Sequence, residues 1–312
     1  MELIRGLHNL RPRHRGCVAT IGAFDGVHLG HQAVIQHLKE KATQLDLPSV
    51  VIVFEPLPRE YFSPVQAPAR IMSFREKFQS MADLGVDCLL RIRFNEELRE
   101  MSAKRFVEDV FVSGLGARYV VLGDDFRFGN DRQGDVQFIQ QQGQKHGYDA
   151  GPTPTQEWEG QRVSSTRIRE ALESADFDRA ETMLGRPYSI SGKVIYGRQL
   201  GQTIGTPTAN LELCRLRAPL SGVYVVEVSG AGMVSARGVA NVGVRPTVDD
   251  SIKANLEVHL LDREIELYGQ HIEVTFRHKL RDEKKFDSVD ELKTNIAIDI
   301  KNTRAWFEQR QA

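Results

Sequence analysis

Cysteine is scarce in this chain of 312 residues: Cys17, Cys88 and Cys214, an odd number with no two close together. Such spacing points to neither a disulfide framework nor a zinc cluster, and small core residues are the expected use. Tryptophan is scarcer still, at two, and no stripe of alternating basic and aromatic residues suited to stacking single-stranded nucleic acid is present. An excess of one charge is also lacking. Lys plus Arg number 41 and Asp plus Glu 42, for a net charge of −1. No whole-molecule field therefore gathers nucleic acid or coats an anionic membrane, and anionic substrates must be held by local Arg, His and backbone N–H groups. Apolar runs such as residues 49–54 and 119–122 are far too short to span a bilayer. The opening stretch MELIRGLHNLRPRHRG has no apolar signal segment, so a reducing cytoplasm is expected. Two familiar nucleotide loops are missing as well. No GxGxxG follows a strand and no GxxxxGKS/T occurs, which argues against an NAD-linked dehydrogenase or a P-loop kinase.

What is present divides into two patterns, and the length favours two domains. In the first half, short apolar runs at residues 17–21, 50–54, 88–92 and 119–122 alternate with helical periodicity at 31–45, 74–84 and 103–113. The first of these helices carries Ala33, Val34, His37, Leu38, Ala42 and Leu45 at helical spacing. Continuous apolar strands between helices predict a parallel sheet covered on both faces, with ligands beyond the strands' carboxyl ends. Residues 22–31, 55–62 and 123–135 follow those ends and are rich in glycine and polar groups. A helix over 176–184 closes this half. Beyond it the period becomes two: Tyr224, Val226 and Val228, then Leu256, Val258 and Leu260 opposite Glu257 and His259, then Ile272, Val274 and Phe276. This predicts a small antiparallel barrel or sandwich. A helix over 289–307, with Leu292, Ile296, Ile300 and Trp306 on its apolar side, ends the chain.

The segment TIGAFDGVHLGHQ joins a strand to a helix. Gly22 and Gly26 permit a sharp turn, and His28 and His31 lie three apart, so both can face one point at a helix N-terminus with its unpaired N–H groups. Such a place can cradle a polyphosphate. A single histidine there is ordinarily a cap or a solvated residue, and a His pair can also bind metal, though a third ligand at firm spacing is missing. The string GAFDGVHLGH resembles the HxGH signature of the nucleotidyltransferase superfamily, in its FMN adenylyltransferase branch. FEPLPREYF, GDDFRFGNDRQGD and SSTRIR follow in the branch's order, over roughly residues 14–185. Ala23 stands where many relatives carry Asn. The resemblance implies a Rossmann-like α/β nucleotidyltransferase domain over residues 1–184, in which His28, His31 and Arg169 hold the triphosphate and the leaving-group charge. Gly22, Phe24, Asp25, Ser165 and Thr166 would line the phosphates, while Asp125, Phe126 and Arg127 shape the nucleotide and flavin sites. Asp25 can equally brace the turn, and Arg127 can be structural.

The stretch YGRQLGQTIGTPTANL is a glycine-punctuated loop ending in a polar cluster. Gly197, Gly201 and Gly205 allow close backbone approach to phosphates. Thr208 and Asn210 offer neutral oxygens suited to Mg²⁺ that already carries phosphate ligands, although an ordinary turn uses the same groups. GTPTANL resembles the signature of riboflavin kinases, and GVANVGVRPTV, NLEVHLLD and LRDEKKF match later marks of that family. The resemblance implies a riboflavin kinase barrel over residues 185–312 with a C-terminal helix. Thr208 and Asn210 would be its Mg²⁺–ATP ligands, Glu257 its base, and Arg281 and Glu283 its flavin contacts. Gln202 stands where many relatives have Arg, with Arg198 as the neighbouring cation. The implied whole is a bifunctional enzyme that uses ATP and Mg²⁺ to turn riboflavin into FMN and FMN into FAD, with small-molecule substrates and neither nucleic acid nor membrane as partner. Its rivals are a chain with only the adenylyltransferase half active and a non-catalytic flavin-binding regulatory protein.

Overall fold

The apolar runs of the first half become the central strands of a sheet, buried on both faces, and two further strands form its edges. In order they are β1 Glu2–Arg5, β2 Val18–Ile21, β3 Ser49–Glu55, β4 Cys88–Arg93, β5 Tyr119–Gly123 and β6 Asp149–Thr153. They form one all-parallel sheet in the order β1-β4-β3-β2-β5-β6. This computed structural model describes residues 1–123, 126–130, 133–197, 206–246, 252–263 and 265–310. One sheet face carries Ala19, Ile21, Val50, Ile52, Leu90, Ile92, Val120 and Leu122 in a cluster with Phe106, Val110, Phe111 and Ile139. The alternate residues Val18, Val51, Val53, Leu89 and Val121 are buried too, so the sheet needs helices on both sides. These are α1 Leu29–Leu45, α2 Pro58–Phe62, α3 Phe74–Asp83, α4 Glu96–Glu100, α5 Ala103–Phe106 and α6 Val136–His146. The chain continues α5 as π-helical turns over Val107–Gly114. A short hairpin, β7 Glu157–Trp158 with β8 Gln161–Arg162, follows.

The sheet has a topological switch point. From β2 the chain runs outward to β3 and β4 on one side, and β5 and β6 lie on the other. A crevice therefore opens beyond the ends of β2 and β5, where open α/β sheets bind ligands. Residues 22–28 leave β2 at that point.

The second half is a closed antiparallel barrel of β9 Ser189–Ile195, β10 Ala209–Glu212, β11 Gly222–Gly230, β12 Met233–Pro246, β13 Ile252–Leu260 and β14 His271–Arg281, in the order β10-β13-β12-β11-β14-β9. Closure removes the exposed strand edges. Two helices precede it, α7 Ser165–Glu173 and α8 Phe177–Leu184, and α9 Val289–Gln309 ends the chain. The chain separates into two compact units: Met1–Pro68 with Phe74–Ser164, and Ala69–Ser73 with Ser165–Ala312. Helix α8 belongs with the barrel through Phe177, whose ring packs on Tyr224 and Phe276. The short excursion Ala69–Ser73 is fixed there by the Tyr188 hydroxyl and the Arg215 guanidinium, both donating to the Ile71 carbonyl, at 3.2 and 3.0 Å.

Three sequence expectations change. Cys17 and Cys88 are buried, and burial pushes the Cys17 thiol up to about 12, but Cys214 is exposed. In α1 the buried stripe is Ile35, Leu38 and Ala42, while Leu45 faces solvent. In α9 the buried face includes Asp299, Thr303 and Phe307 as well as the half-buried apolar residues expected there. Asp299 is buried because Arg281 of β14 grips it as a fork, Nε to Oδ1 at 3.0 Å and Nη2 to Oδ2 at 2.8 Å. Removing one member of a buried pair strands the other. Asp299→Ala is therefore expected to cost the barrel unit about 2–4 kcal/mol, somewhat below the fully buried case because Arg281 is partly solvated. Denaturant unfolding followed by Trp306 fluorescence measures it.

Candidate active sites

At the switch point the chain turns from β2 into α1 through residues 22–28. The Gly22 N–H donates to the Ile52 carbonyl at 3.1 Å, carrying the loop across the end of β3. Phe24 and Val27 then adopt left-handed backbone, with φ of 47° and 41°, a conformation that a β-branched residue disfavours. His28 is the N-cap of α1: its Nδ1 accepts the His31 N–H at 3.3 Å. An accepting Nδ1 leaves the ring proton on Nε2. The His28 and His31 rings stack with centroids 3.6 Å apart and 17° between planes, and Phe24 closes the far side of His31 at 5.1 Å.

His31 keeps some exposed surface, yet its Nδ1 is covered and has no hydrogen-bond partner among the described residues. Buried polar atoms are almost always partnered, so such an orphan marks a place for a ligand group. Burial first, and then the charges of His28, Lys77 and Arg162, hold the His31 ring well below the ordinary histidine range, so it is neutral at physiological pH. A helix N-terminus beside the neutral His31 ring is a place that favours an anion. Among the described residues, no group of three or more His, Cys, Asp or Glu is placed to hold a metal.

Asp25 is buried at the foot of this loop. Phe126 stacks on buried Phe128 at 5.4 Å, while Arg127 is exposed and donates to the Phe126 carbonyl at 2.9 Å. Asp125 lies outside the described residues. Ser165, Thr166 and Arg169 fall on α7, in the second compact unit. Ser165 and Thr166 occupy its first turn, and the Arg169 Nε donates to the Ala69 carbonyl at 2.6 Å. Two features escaped the sequence reading. One is an aromatic shelf after β3, where Tyr61 and exposed Phe62 pack edge-on against Phe94, and Phe94 against Phe54. The quoted FEPLPREYF string contained three of its four rings. The other is Lys77, which periodicity assigned only to a helix.

The second site is a polar row on the outer face of the barrel. Asn210 of β10 pairs in register with Glu257 of β13, and Glu257 with Asn241 of β12. Directly paired residues share a sheet face, here the one opposite buried Leu256, Val258, Ala240 and Val242. Asn255, two residues before Glu257 on the same face, donates its Nδ2 to Glu257 Oε1 at 3.0 Å. The turn before β10 is anchored by the His259 Nδ1–H, which donates to the Pro207 carbonyl at 2.9 Å. That anchor sets half-buried Thr208 beside the strand that carries buried Asn210.

Gly197 lies against the Asn210 side chain so closely that an added Cβ would collide with its amide. Gly243 has the same relation to the Glu283 carboxylate, which thus lies over β12 beside Asn255. Arg281 is engaged with Asp299, and its guanidinium also lies 5.5 Å from the Phe286 ring. Tyr196 is exposed and stacks on Tyr268 at 4.0 Å, next to Gly197. Gly201 and Gly205, with Arg198 and Gln202, lie outside the described residues. The donor set of a hydroxyl and an amide oxygen fits a hard cation that brings phosphate ligands of its own.

Comparison with known proteins agrees with this division. Residues 10–167 match the FAD synthetase family model and residues 184–307 the riboflavin kinase model. The chain is 52% identical to the bifunctional riboflavin kinase/FMN adenylyltransferase of Pseudomonas fluorescens, over 98% of this chain and 97% of that one. It is 47% identical to the protein of the same name from Escherichia coli K12, with 98% of each covered, and 45% identical to that of Haemophilus influenzae, covering 98% and 99%. A crystal structure of a Streptococcus pneumoniae protein described as macrolide-efflux superposes with a TM-score of 0.77 at 30% identity, covering 98% of this chain and all of that one. No helix among the described residues is long and apolar enough to cross a membrane. With two family models placed on the two sites and near-complete relatives at about half identity, the chain belongs to the bifunctional riboflavin kinase/FMN adenylyltransferase family.

Proposed function

We propose that the barrel unit phosphorylates riboflavin to FMN and that the parallel-sheet unit adenylylates FMN to FAD, each with ATP. One observation supports the reading: each unit brings together its own cluster of motif residues, the stacked His28–His31 pair at the switch point and Asn210 beside Glu257 on the barrel.

In the kinase half the riboflavin 5′-hydroxyl attacks the γ-phosphorus, the bond from that phosphorus to the β-phosphate oxygen breaks, and ADP leaves. A hydroxyl is a poor nucleophile, so Glu257 takes its proton. Thr208 and Asn210 would hold the Mg²⁺ that comes with ATP, which when bound would supply charge neutralisation at the phosphates. Gly197 lets the backbone close on the phosphates, the Tyr196–Tyr268 pair offers a face to the base ring, and Glu283 and Arg281 border the flavin, Arg281 through its hold on α9. Asn255 orients the base. Asn255→Ala is expected to lower kcat for phosphorylation by about tenfold, as loss of orientation does, with FAD formation from FMN unchanged; steady-state assays of the two half-reactions check it.

In the adenylyltransferase half an FMN phosphate oxygen attacks the α-phosphorus of ATP and pyrophosphate leaves. The nucleophile is already anionic, so alignment and charge stabilisation supply the catalysis. His28 and His31 hold the triphosphate and the developing charge, a role the family resemblance also gives to Arg169. Gly22, Phe24 and Asp25 form the phosphate bed, a role the family resemblance also gives to Ser165 and Thr166. Phe126 and Arg127 border the nucleotide, and the Phe54–Tyr61–Phe62–Phe94 shelf takes the flavin ring. The substrates are small molecules, and the same reading puts the enzyme in the cytoplasm, where ATP is made and used. Incubating purified protein with riboflavin, ATP and Mg²⁺ and resolving the flavins by chromatography tests the proposal. FMN and then FAD are expected, and the appearance of neither overturns it.

A further inference from the structure

Lys77 of α3 is 1% exposed. A buried ammonium is costly unless its protons are satisfied. It donates to the Ala23 carbonyl at 2.7 Å and stands 3.9 Å from the Glu55 carboxylate. So little exposure keeps it from touching a nucleotide directly. What it grips is the strained connection into the first site. Ala23 precedes Phe24 and Val27, both left-handed, and such backbone persists only where its surroundings fix it. Three anchors do so: the Gly22 N–H on Ile52, Lys77 on Ala23, and the Gln32 Nε2 donating to the Val27 carbonyl at 2.9 Å. The loop they hold ends at His28.

We propose that Lys77 is a positioning residue for adenylyl transfer, its buried ammonium fixing the loop through the Ala23 carbonyl and so setting the stacked His28–His31 pair. Lys77 also faces His31 electrostatically, together with His28 from α1 and Arg162 from β8. Its charge is one of the causes that keep the His31 ring neutral. The inference rests on the adenylyltransferase reading of this site, and wild-type FAD formation tests that reading separately.

The experiment uses the full chain with Lys77→Met and Lys77→Gln. The kcat for FAD formation from FMN should fall about 10- to 100-fold, the range expected when reacting groups shift by about an ångström. Riboflavin phosphorylation should stay at the wild-type rate. By NMR, the His31 ring should titrate at higher pH than in the wild type while the near-ultraviolet circular dichroism of the first unit stays native, so that lost charge and not lost burial accounts for the rise. FAD formation within about twofold of wild type, set against that expected loss of at least ~10-fold, overturns the proposal. So does an unmoved His31 titration. If neither variant gives a folded first unit by near-ultraviolet circular dichroism, Lys77 is a core residue and the proposal is also overturned. Wild-type chain that makes no FAD sinks the reading of the site instead.

Discussion

Replacing His28 and His31 together with alanine is expected to abolish FAD formation from FMN while riboflavin phosphorylation continues at the wild-type rate. Loss of one preorganised donor to a developing charge ordinarily costs ~10²–10³ in rate. In the proposed mechanism both imidazoles act on the same polyphosphate, so their joint loss should take the rate below detection, beyond ~10⁴-fold. The double variant also loses the N-cap of α1, because the His28 Nδ1 accepts the His31 N–H. A lost cap costs about 1 kcal/mol of stability, too little to unfold a unit whose sheet is buried on both faces. A thermal melt of the variant separates the two effects: a shift of a few degrees with complete loss of adenylylation supports the chemical role. The barrel unit contains neither histidine, so riboflavin phosphorylation is the internal control.

The second large effect belongs to Glu257. Glu257→Ala should slow riboflavin phosphorylation by ~10²–10⁴, the span of general-base contributions, and leave FAD formation from supplied FMN intact. The carboxylate projects from β13 on the face opposite Leu256 and Val258 and is held by Asn255. Truncation therefore removes a half-buried group without opening the barrel core, and little loss of stability is expected. Glu257→Gln keeps the shape and can still pair with Asn255 but cannot take a proton. It should be as slow as the alanine variant, which distinguishes proton transfer from packing. An unaffected rate in both variants removes Glu257 from the mechanism.

Much of the architecture was legible because its signals are local. Runs of β-branched residues such as SVVIVFE demand burial on both faces, and they become the central strands of a parallel sheet. The period of two in HIEVTF reads directly as one buried and one exposed barrel face. The edge strands were not legible. β6, DAGPT, is short and polar and carries a proline, which an edge position tolerates. β1, ELIR, has one buried residue. Helical periodicity also misses charges that pair inside the protein. Asp299 reads as a solvated residue of α9 until Arg281 is brought to it from another element, and Lys77 reads as polar until the Ala23 carbonyl meets it. Both contacts join residues that sequence spacing does not connect. The candidate sites were legible as motifs; their geometry was not. The stacking of His28 on His31, the uncovered hydrogen-bonding need at His31 Nδ1 and the Asn210–Glu257–Asn241 row emerge only from the fold.

The claim of independent ATP sites on separate units is tested most directly by complementation in vitro. Riboflavin, ATP and Mg²⁺ are supplied to the His28→Ala/His31→Ala protein, to the Glu257→Ala protein, and to an equimolar mixture of the two. The account predicts FMN alone from the first, almost no product from the second, and FAD from the mixture, as FMN released by one protein is adenylylated by the other. A mixture that makes no FAD, although each variant is folded, contradicts it.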